Sequence, residues 1–330
     1  MYRSSMSYTA LSSYTLKLTF LLLALLVVLT VSLAIGRYPI NLLNLNEEAL
    51  SVLLNVRLPR VLMSAIGGAI FGVTGTALQA TFKNPLISPY ILGITQGAAF
   101  GAALALLLFQ PVPYVVTLSA FLFSMIALAC TLVIAGVQRY YAPLTIVLAG
   151  IIVGAIFSSL LSIIQYIIDP WRLQGIVFWL MGGFYRVTWE YFLIALPGSL
   201  ISLILLTLIR WRLNILSLSD DEARALGINV VFERVLVFVI SSLAIASVTA
   251  ISGIIAFAGL VFPHIARGLI GSDNRVLIPA SALVGSLILL VTDDICRSLY
   301  TFEIPISILT TLIATPYFIY LMRRITGEWR

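Results

Sequence analysis

Long apolar runs recur along this chain, separated by short polar breaks rich in Pro, Gly, Arg and Asp. A helix needs about 20 apolar residues to cross a bilayer. The runs are much longer than the strands of a membrane barrel. Lipid offers the backbone no hydrogen-bond partner, so runs of this length are helices. The pattern predicts spans at about 16–36, 59–81, 89–109, 114–136, 143–168, 190–209, 233–252, 254–271, 277–296 and 305–322. The tightest junction is Ser252–Gly253, where two spans meet with almost no loop. Val31-Ser32-Leu33-Ala34 resembles a signal-peptide cleavage end. Its apolar stretch exceeds a usual h-region and further spans follow, so it reads as an uncleaved first span.

Composition agrees with that reading. Of 330 residues, 61% are hydrophobic and 10% charged, and mean hydropathy is +1.11. A soluble domain is about half apolar and a quarter charged. A soluble enzyme, a disordered chain and a nucleic-acid-binding domain are excluded, despite a pI near 9.4. Ten spans use roughly 200 residues, and no loop is long enough for a second domain. The expected fold is an all-α integral membrane protein of about ten transmembrane helices in the cell membrane. A single ten-helix domain covers 16–324, between tails at 1–15 and 325–330.

Orientation follows from charge. With the N-terminus inside, the outer Lys and Arg residues are Arg37, Arg57, Arg60, Arg172, Arg186 and Arg297, and the rest of the 19 fall inside. Cytoplasmic loops carry the excess of positive charge. Both termini are therefore expected in the cytoplasm.

The missing chemistry is informative. No G-x-x-x-x-G-K-[ST] is present, so the chain is not expected to bind or hydrolyse ATP. The sole histidine, His264, excludes histidine clusters, and Cys130 and Cys296 form no disulfide framework. No cofactor or metal is expected in this chain. A proton-coupled carrier keeps buried carboxylates, and the candidates are Asp293 and Asp294. Asp293-Asp294-Ile295-Cys296-Arg297 resembles the start of a prenyl-transfer metal motif. Such a site needs a second acidic cluster on the same membrane face, and Asp220-Asp221-Glu222 falls on the other. An ion pair between an Asp and Arg297 is the simpler reading.

Three features carry candidate function. Between Arg210 and Glu233, Ser219 and Glu222 form a capping box, Asp220 and Asp221 suit the positive end of a helix dipole, and Gly227 is a stop. A short inner helix over about 220–226 results, either a connector or a dock for a cytoplasmic partner. At the outer side, Arg57, Arg60 and Arg297 are either interface anchors or a basic rim for an acidic partner. Small residues at Gly68 and Gly72, Gly97 and Gly101, and Gly150, Gly154 and Ser158 permit close helix packing, and the last group can also line a path. Gln79, Gln96 and Gln165 are polar residues inside spans, and Asn84-Pro85-Leu86-Ile87-Ser88-Pro89 reads as a turn.

Several motifs then occur in order: Arg57-Leu58-Pro59-Arg60; Gly75 to Gln79 with Asn84-Pro85-Leu86 and Pro89 to Gly93; Leu148-Ala149-Gly150; Trp179 with Met181-Gly182-Gly183-Phe184; Glu222-Ala223-Arg224 with Leu226-Gly227; Gly259-Leu260-Val261 with Pro263-His264 and Arg267; Asp293 with Arg297; and Glu303-Ile304-Pro305 with Pro316. With these, the chain resembles the permease subunits of ABC importers for iron-siderophores, haem and cobalamin. Ile304 stands where many relatives carry leucine. Ala142-Pro143-Leu144 stands where some carry small hydroxyl residues near an inner gate.

The resemblance implies a transport subunit rather than an enzyme, paired with a second copy of itself or with a close relative. It implies two cytoplasmic ATPase subunits, which supply ATP and Mg, and an extracytoplasmic binding protein. Residues Ser219, Asp220, Asp221, Glu222, Ala223, Arg224, Ala225, Leu226 and Gly227 would engage the ATPase. Arg57, Arg60 and Arg297 would face the binding protein. The path between copies would draw on Gln96, Ala142, Pro143, Leu144, Gly150, Gly154, Ser158 and Gln165. Iron(III)-siderophore is the first expectation for cargo, then cobalamin or haem, with a small oxyanion a further candidate. The alternatives are a proton-coupled carrier and a prenyl-transfer enzyme.

Overall fold

The computed structural model describes residues 8–38, 46–109, 112–136 and 142–327, and every regular element among them is helical. Residues 1–7 and 328–330 of the expected tails, with Arg3, Arg139 and Arg330, lie outside the described residues. Each expected span corresponds to one helix: α1 (Tyr8–Ala34), α3 (Leu58–Phe82), α4 (Ile94–Leu108), α5 (Pro113–Gly136), α6 (Pro143–Ile167), α8 (Trp189–Leu208), α11 (Val230–Ser252), α12 (Ala258–Ile270), α13 (Asn274–Ser298) and α14 (Ile306–Gly327). Between them lie α2 (Glu47–Val52), α7 (Pro170–Leu180), α9 (Arg210–Leu216) and α10 (Asp220–Ala225). A π-helical turn at Leu53–Arg57 joins α2 to α3.

Among the described residues, seven helices are long and apolar enough to cross a membrane. Three expected spans are shorter apolar helices, Ile94–Leu108, Ala258–Ile270 and Ile306–Ile319. The causes are local. Pro89 opens a 3-10 turn and Gly93 follows at φ 80°, so α4 begins only at Ile94. The chain leaves α11 at Gly253 and passes Phe257 at φ 61° before α12 starts.

The centre of the bundle is the pair α3 and α13, whose backbones touch. A Cβ on Gly68 would lie 2.2 Å from the Gly285 carbonyl oxygen, and one on Gly285 would lie 2.1 Å from that of Gly68. A Cβ on Gly72 would meet the Ser281 carbonyl oxygen at 2.1 Å. Lipid supplies little hydrophobic drive between helices, so dispersion from such close approach holds them together. Ser286 Oγ donates to Ala65 O (2.7 Å) and Thr76 Oγ1 to Ser281 Oγ (2.7 Å) across the same seam. On one side α12 and α1 pack against α13. On the other, α11 contacts α3, α8, α4 and α5, and thereby joins the central pair to a second group of α4, α5 and α6. Leu16, Phe20, Leu23 and Val27 of α1 are exposed, as a lipid-facing helix requires.

The seam makes a prediction. Gly68→Ala and Gly285→Ala must each push two backbones apart, at a cost of about 1–3 kcal/mol. Each should lower the unfolding temperature of the purified chain in detergent. Gly175→Ala, where an added Cβ meets nothing within 4 Å, should leave it unchanged or slightly higher.

Candidate functional site

The two charge sets expected from sequence gather at opposite ends of the bundle. At the inner end, the short helix forms as the sequence predicts. Ser219 Oγ accepts from Glu222 N (3.3 Å), and Glu222 Oε2 accepts from Ser219 N (2.9 Å). That reciprocal pair satisfies two amides that the helix start would leave unbonded. The helix ends at Gly227, at φ 82°. There Gly227 N donates to Arg224 O (2.9 Å) and Ile228 N to Ala223 O (3.2 Å), the pattern of a glycine C-cap.

Capping sorts the residues of α10 by direction. Asp221, Glu222, Arg224, Ala225, Leu226 and Gly227 are exposed. Ala223 is buried, among Leu213, Leu216 and Val230, so of the expected partner contacts it belongs to the support rather than to the surface. Asp220 turns inward. Its carboxylate accepts from Lys83 Nζ (2.6 Å), at the end of α3, and from Arg234 Nη2 (3.0 and 3.1 Å), in α11. Burial pushes this carboxyl upward, but the hydrogen bonds from Lys83 and Arg234 outweigh burial and hold it below the usual carboxylate range. Neither Lys83 nor Arg234 stands out in the sequence as its partner, since both are distant along the chain.

The same end is tied to α13 through α9. Asn214 Nδ2 donates to Asp273 Oδ1 (2.8 Å), and Asn274 N donates to Asn214 Oδ1 (2.8 Å). Asp273 caps α13 and pairs with Arg275 at 2.6 Å. The Arg275 guanidinium, foremost, holds the Asp273 carboxyl down at about 2. Nearby, Arg267 Nη2 donates to Gln79 Oε1 (3.0 Å), and the His264 Nε2 lies 2.9 Å from Pro85 O. Leu86 N donates to Asn84 Oδ1 (2.9 Å). The Asn84–Pro89 stretch is therefore a turn, held from α12.

The outer end corrects an expectation. Arg57, Arg60 and Arg297 form no exposed basic rim; all three are buried, at 4%, 8% and 5% exposure. Arg60 pairs with Asp293 (2.9 Å) and with Glu303 (2.8 Å). Arg297 pairs with Asp294 and also reaches Ser32 O, while Ser32 Oγ donates to Asp294 Oδ2 (2.5 Å). Arg57 donates to Leu33 O (2.8 Å), Ala34 O (2.7 Å) and Tyr38 O, at the carboxyl end of α1. The physical reason is partner supply. Asp293, Asp294 and Glu303 neutralise Arg60 and Arg297 internally, and backbone carbonyls at and just beyond the end of α1 take Arg57. The expected Asp–Arg297 ion pair is present. Exposed charges at this end are mixed in sign: Arg37, Arg172 and Arg186 beside Glu47, Glu48, Asp169 and Glu190.

The profile of the FecCD transport family matches residues 18–324. The chain belongs to that family. The molybdate import permease MolB of Haemophilus influenzae is 40% identical over 322 residues, which is 92% of this chain and 95% of that protein. The hemin transport permease HmuU of Yersinia pestis is 34% identical over 319 residues, 92% of this chain and 96% of that protein. A solved structure described as an inward-facing metal-chelate type ABC transporter superposes with a TM-score of 0.87 at 39% identity, over 93% of this chain and 98% of that one. This chain is thus a multi-pass ABC importer permease of the FecCD family, a transport component.

In this FecCD permease the expected path residues divide. Gly150 and Gly154 face inward: a Cβ on Gly150 would lie 2.9 Å from Leu92 Cα, and one on Gly154 3.4 Å from Gly93 Cα. They are packing positions against the start of α4, which corrects their reading as path lining. Gln96 packs beside Gly154 and accepts from Thr95 Oγ1 (2.9 Å). Ala142, Pro143 and Gln165 are half-buried. Leu144 and Ser158 do lie on the broad exposed face of α6, with Leu148, Ile152, Ile156, Ser159 and Ser162. The hydroxyls of Ser159 and Ser162 donate back to Ala155 O (2.9 Å) and Ser158 O (3.0 Å), so this face shows little polarity.

Two measurements check these assignments. Breaking a buried pair leaves an uncompensated charge, at about 3–5 kcal/mol. Arg60→Ala and Asp293→Ala should therefore fail in folding yield and thermal stability, whereas Arg186→Ala should keep both. The second concerns pH. The Asp273 carboxyl is held near 2 in the folded chain, against an ordinary 3.8, so its contribution is complete above pH 3.8 and lost as pH falls towards 2. Hydrogen exchange at 210–216 and 271–277 should stay slow at pH 4.5 relative to Asp273→Asn and converge with it near pH 2.

Proposed function

We propose that this chain is the membrane subunit of an importer driven by separate cytoplasmic ATPase subunits that dock on α10. The observation that carries the reading is the doubly capped α10, which presents Asp221, Arg224 and Leu226 to water, in a chain whose sequence has no P-loop. Seven long apolar helices and three shorter ones support a ten-span bundle with both termini in the cytoplasm, because the arginine-rich set gathers at the α10 end. A second copy would cover the exposed apolar face of α6, and substrate would pass between the two. A binding protein would deliver it at the outer end.

The cargo is a metal chelate or a metal oxyanion. An iron chelate is the first choice, supported by the naming of relatives such as the Fe(3+)-citrate permease YfmE of Bacillus subtilis, 34% identical over 320 residues. Molybdate is the second, favoured by the 40% identity to MolB. The proton-coupled alternative loses its candidates: Asp293 is paired with Arg60 and Asp294 with Arg297.

In proteoliposomes the chain alone should neither hydrolyse ATP nor accumulate substrate. Addition of the cognate ATPase and binding protein should restore uptake that depends on ATP. A ligand panel on that binding protein, with ferric siderophores, haem, cobalamin and molybdate, names the cargo. Uptake by the chain alone under a proton gradient would reject the importer reading.

A further inference from the structure

Asp220 stands apart from the rest of α10. It is the least exposed acidic residue of this helix, half-buried where Asp221 and Glu222 are exposed, and it receives two cations from two different helices. The Lys83 end of the contact is unusual in its backbone. Lys83 closes α3 in the left-handed region, at φ 54° and ψ 31°. That position normally falls to Gly or Asn, because a side chain there is strained. Among the described residues only Lys83 and Phe257 are non-glycine residues with positive φ. A glycine would relieve the strain and remove the amine. The strained lysine is therefore kept where its Nζ meets Asp220. Arg234, on the other side, is 1% exposed and fixed within α11.

We propose that Asp220 is a positioning residue that passes displacement of α10 to the membrane bundle, through Lys83 to α3 and through Arg234 to α11. This rests on the reading that an ATPase docks on α10. Apolar contact alone is a poor link for a six-residue helix: of its side chains only Ala223 is buried. The carboxylate adds directional contacts at both neighbours. Beyond Lys83, α3 is locked backbone to backbone against α13 at Gly68 and Gly72, and against Gly259 of α12 at Gly75. At its far end it carries Arg60, paired with Asp293. A pull on Lys83 therefore acts on the outer charge cluster through one continuous helix. A bystander ion pair would contribute to stability alone, and its loss would leave the ratio of substrate moved to ATP hydrolysed unchanged.

The test uses the assembled complex, permease with ATPase and ligand-loaded binding protein, in proteoliposomes. The variants are Asp220→Asn, Lys83→Met, their double mutant, and Asp220→Glu. The readouts are ATPase co-purification and substrate moved per ATP hydrolysed. The proposal expects co-purification to be unchanged, because Asp221, Arg224 and Leu226 remain. It expects the ratio to fall about fivefold in Asp220→Asn, the factor that corresponds to about 1 kcal/mol. Lys83→Met should fall similarly, the double mutant should be no worse than either single, and Asp220→Glu should recover most of the loss. An unchanged ratio in complexes that assemble normally overturns the proposal. So does loss of co-purification in Asp220→Asn, which would make Asp220 a partner contact. A wild-type chain that recruits no ATPase rejects the docking reading itself, and the transmission role with it.

Discussion

The approach of α3 to α13 at Gly68 and Gly285 is the contact on which the rest depends. Two helices whose carbonyls lie against each other's Cα atoms cannot slide or separate without loss of all their dispersion contact. α3 therefore behaves as a fixed post. At one end it holds Arg60 and at the other Lys83, both charged and both paired. The helices around it are less constrained. α1 exposes most of its apolar length, and α6 keeps a broad uncovered face.

Charge is confined to the ends because the middle has no water to solvate it. What differs is how each end treats it. The outer cluster is buried and closed: Arg57, Arg60 and Arg297 are spent on carbonyls and carboxylates of α1, α13 and the segment before α14. The inner cluster is half open. Asp220 and Asp273 are bound to cations, while Asp221 and Arg224 stay in water beside them. A closed end suits a scaffold, and a half-open end suits a partner. That asymmetry agrees with the proposed docking of an ATPase on α10.

Much of this was legible in the residues. The Ser219–Glu222 box and Gly227 act over a few residues, and the helix they predict forms within one residue of its expected end. The Asp294–Arg297 pair was legible because it spans one helical turn. The burial of Arg60 was not, since Asp293 and Glu303 lie more than 200 positions away, nor was that of Arg57, which is held by backbone carbonyls that carry no sequence signal. Lys83 and Asp220, 137 positions apart, were equally hidden. The small-residue face at Gly150 and Gly154 is ambiguous by nature, because a glycine stripe serves a close helix and an open path equally well. The short helix α7 carried a readable signal, Asp169-Pro170 as cap and first turn, but its apolar composition merged it with the loop between two spans.

Under the proposed docking of an ATPase on α10, the helices α10, α3 and α13 move as one mechanical unit. The most direct measurement is the structure of the assembled complex in nucleotide-free and ATP-bound states. The account predicts that α10, α3 and α13 superpose as one body in both, with Lys83 still on Asp220, while that body shifts against the rest of the complex. A structure in which α10 moves with the ATPase while Lys83 and α3 stay behind would contradict it.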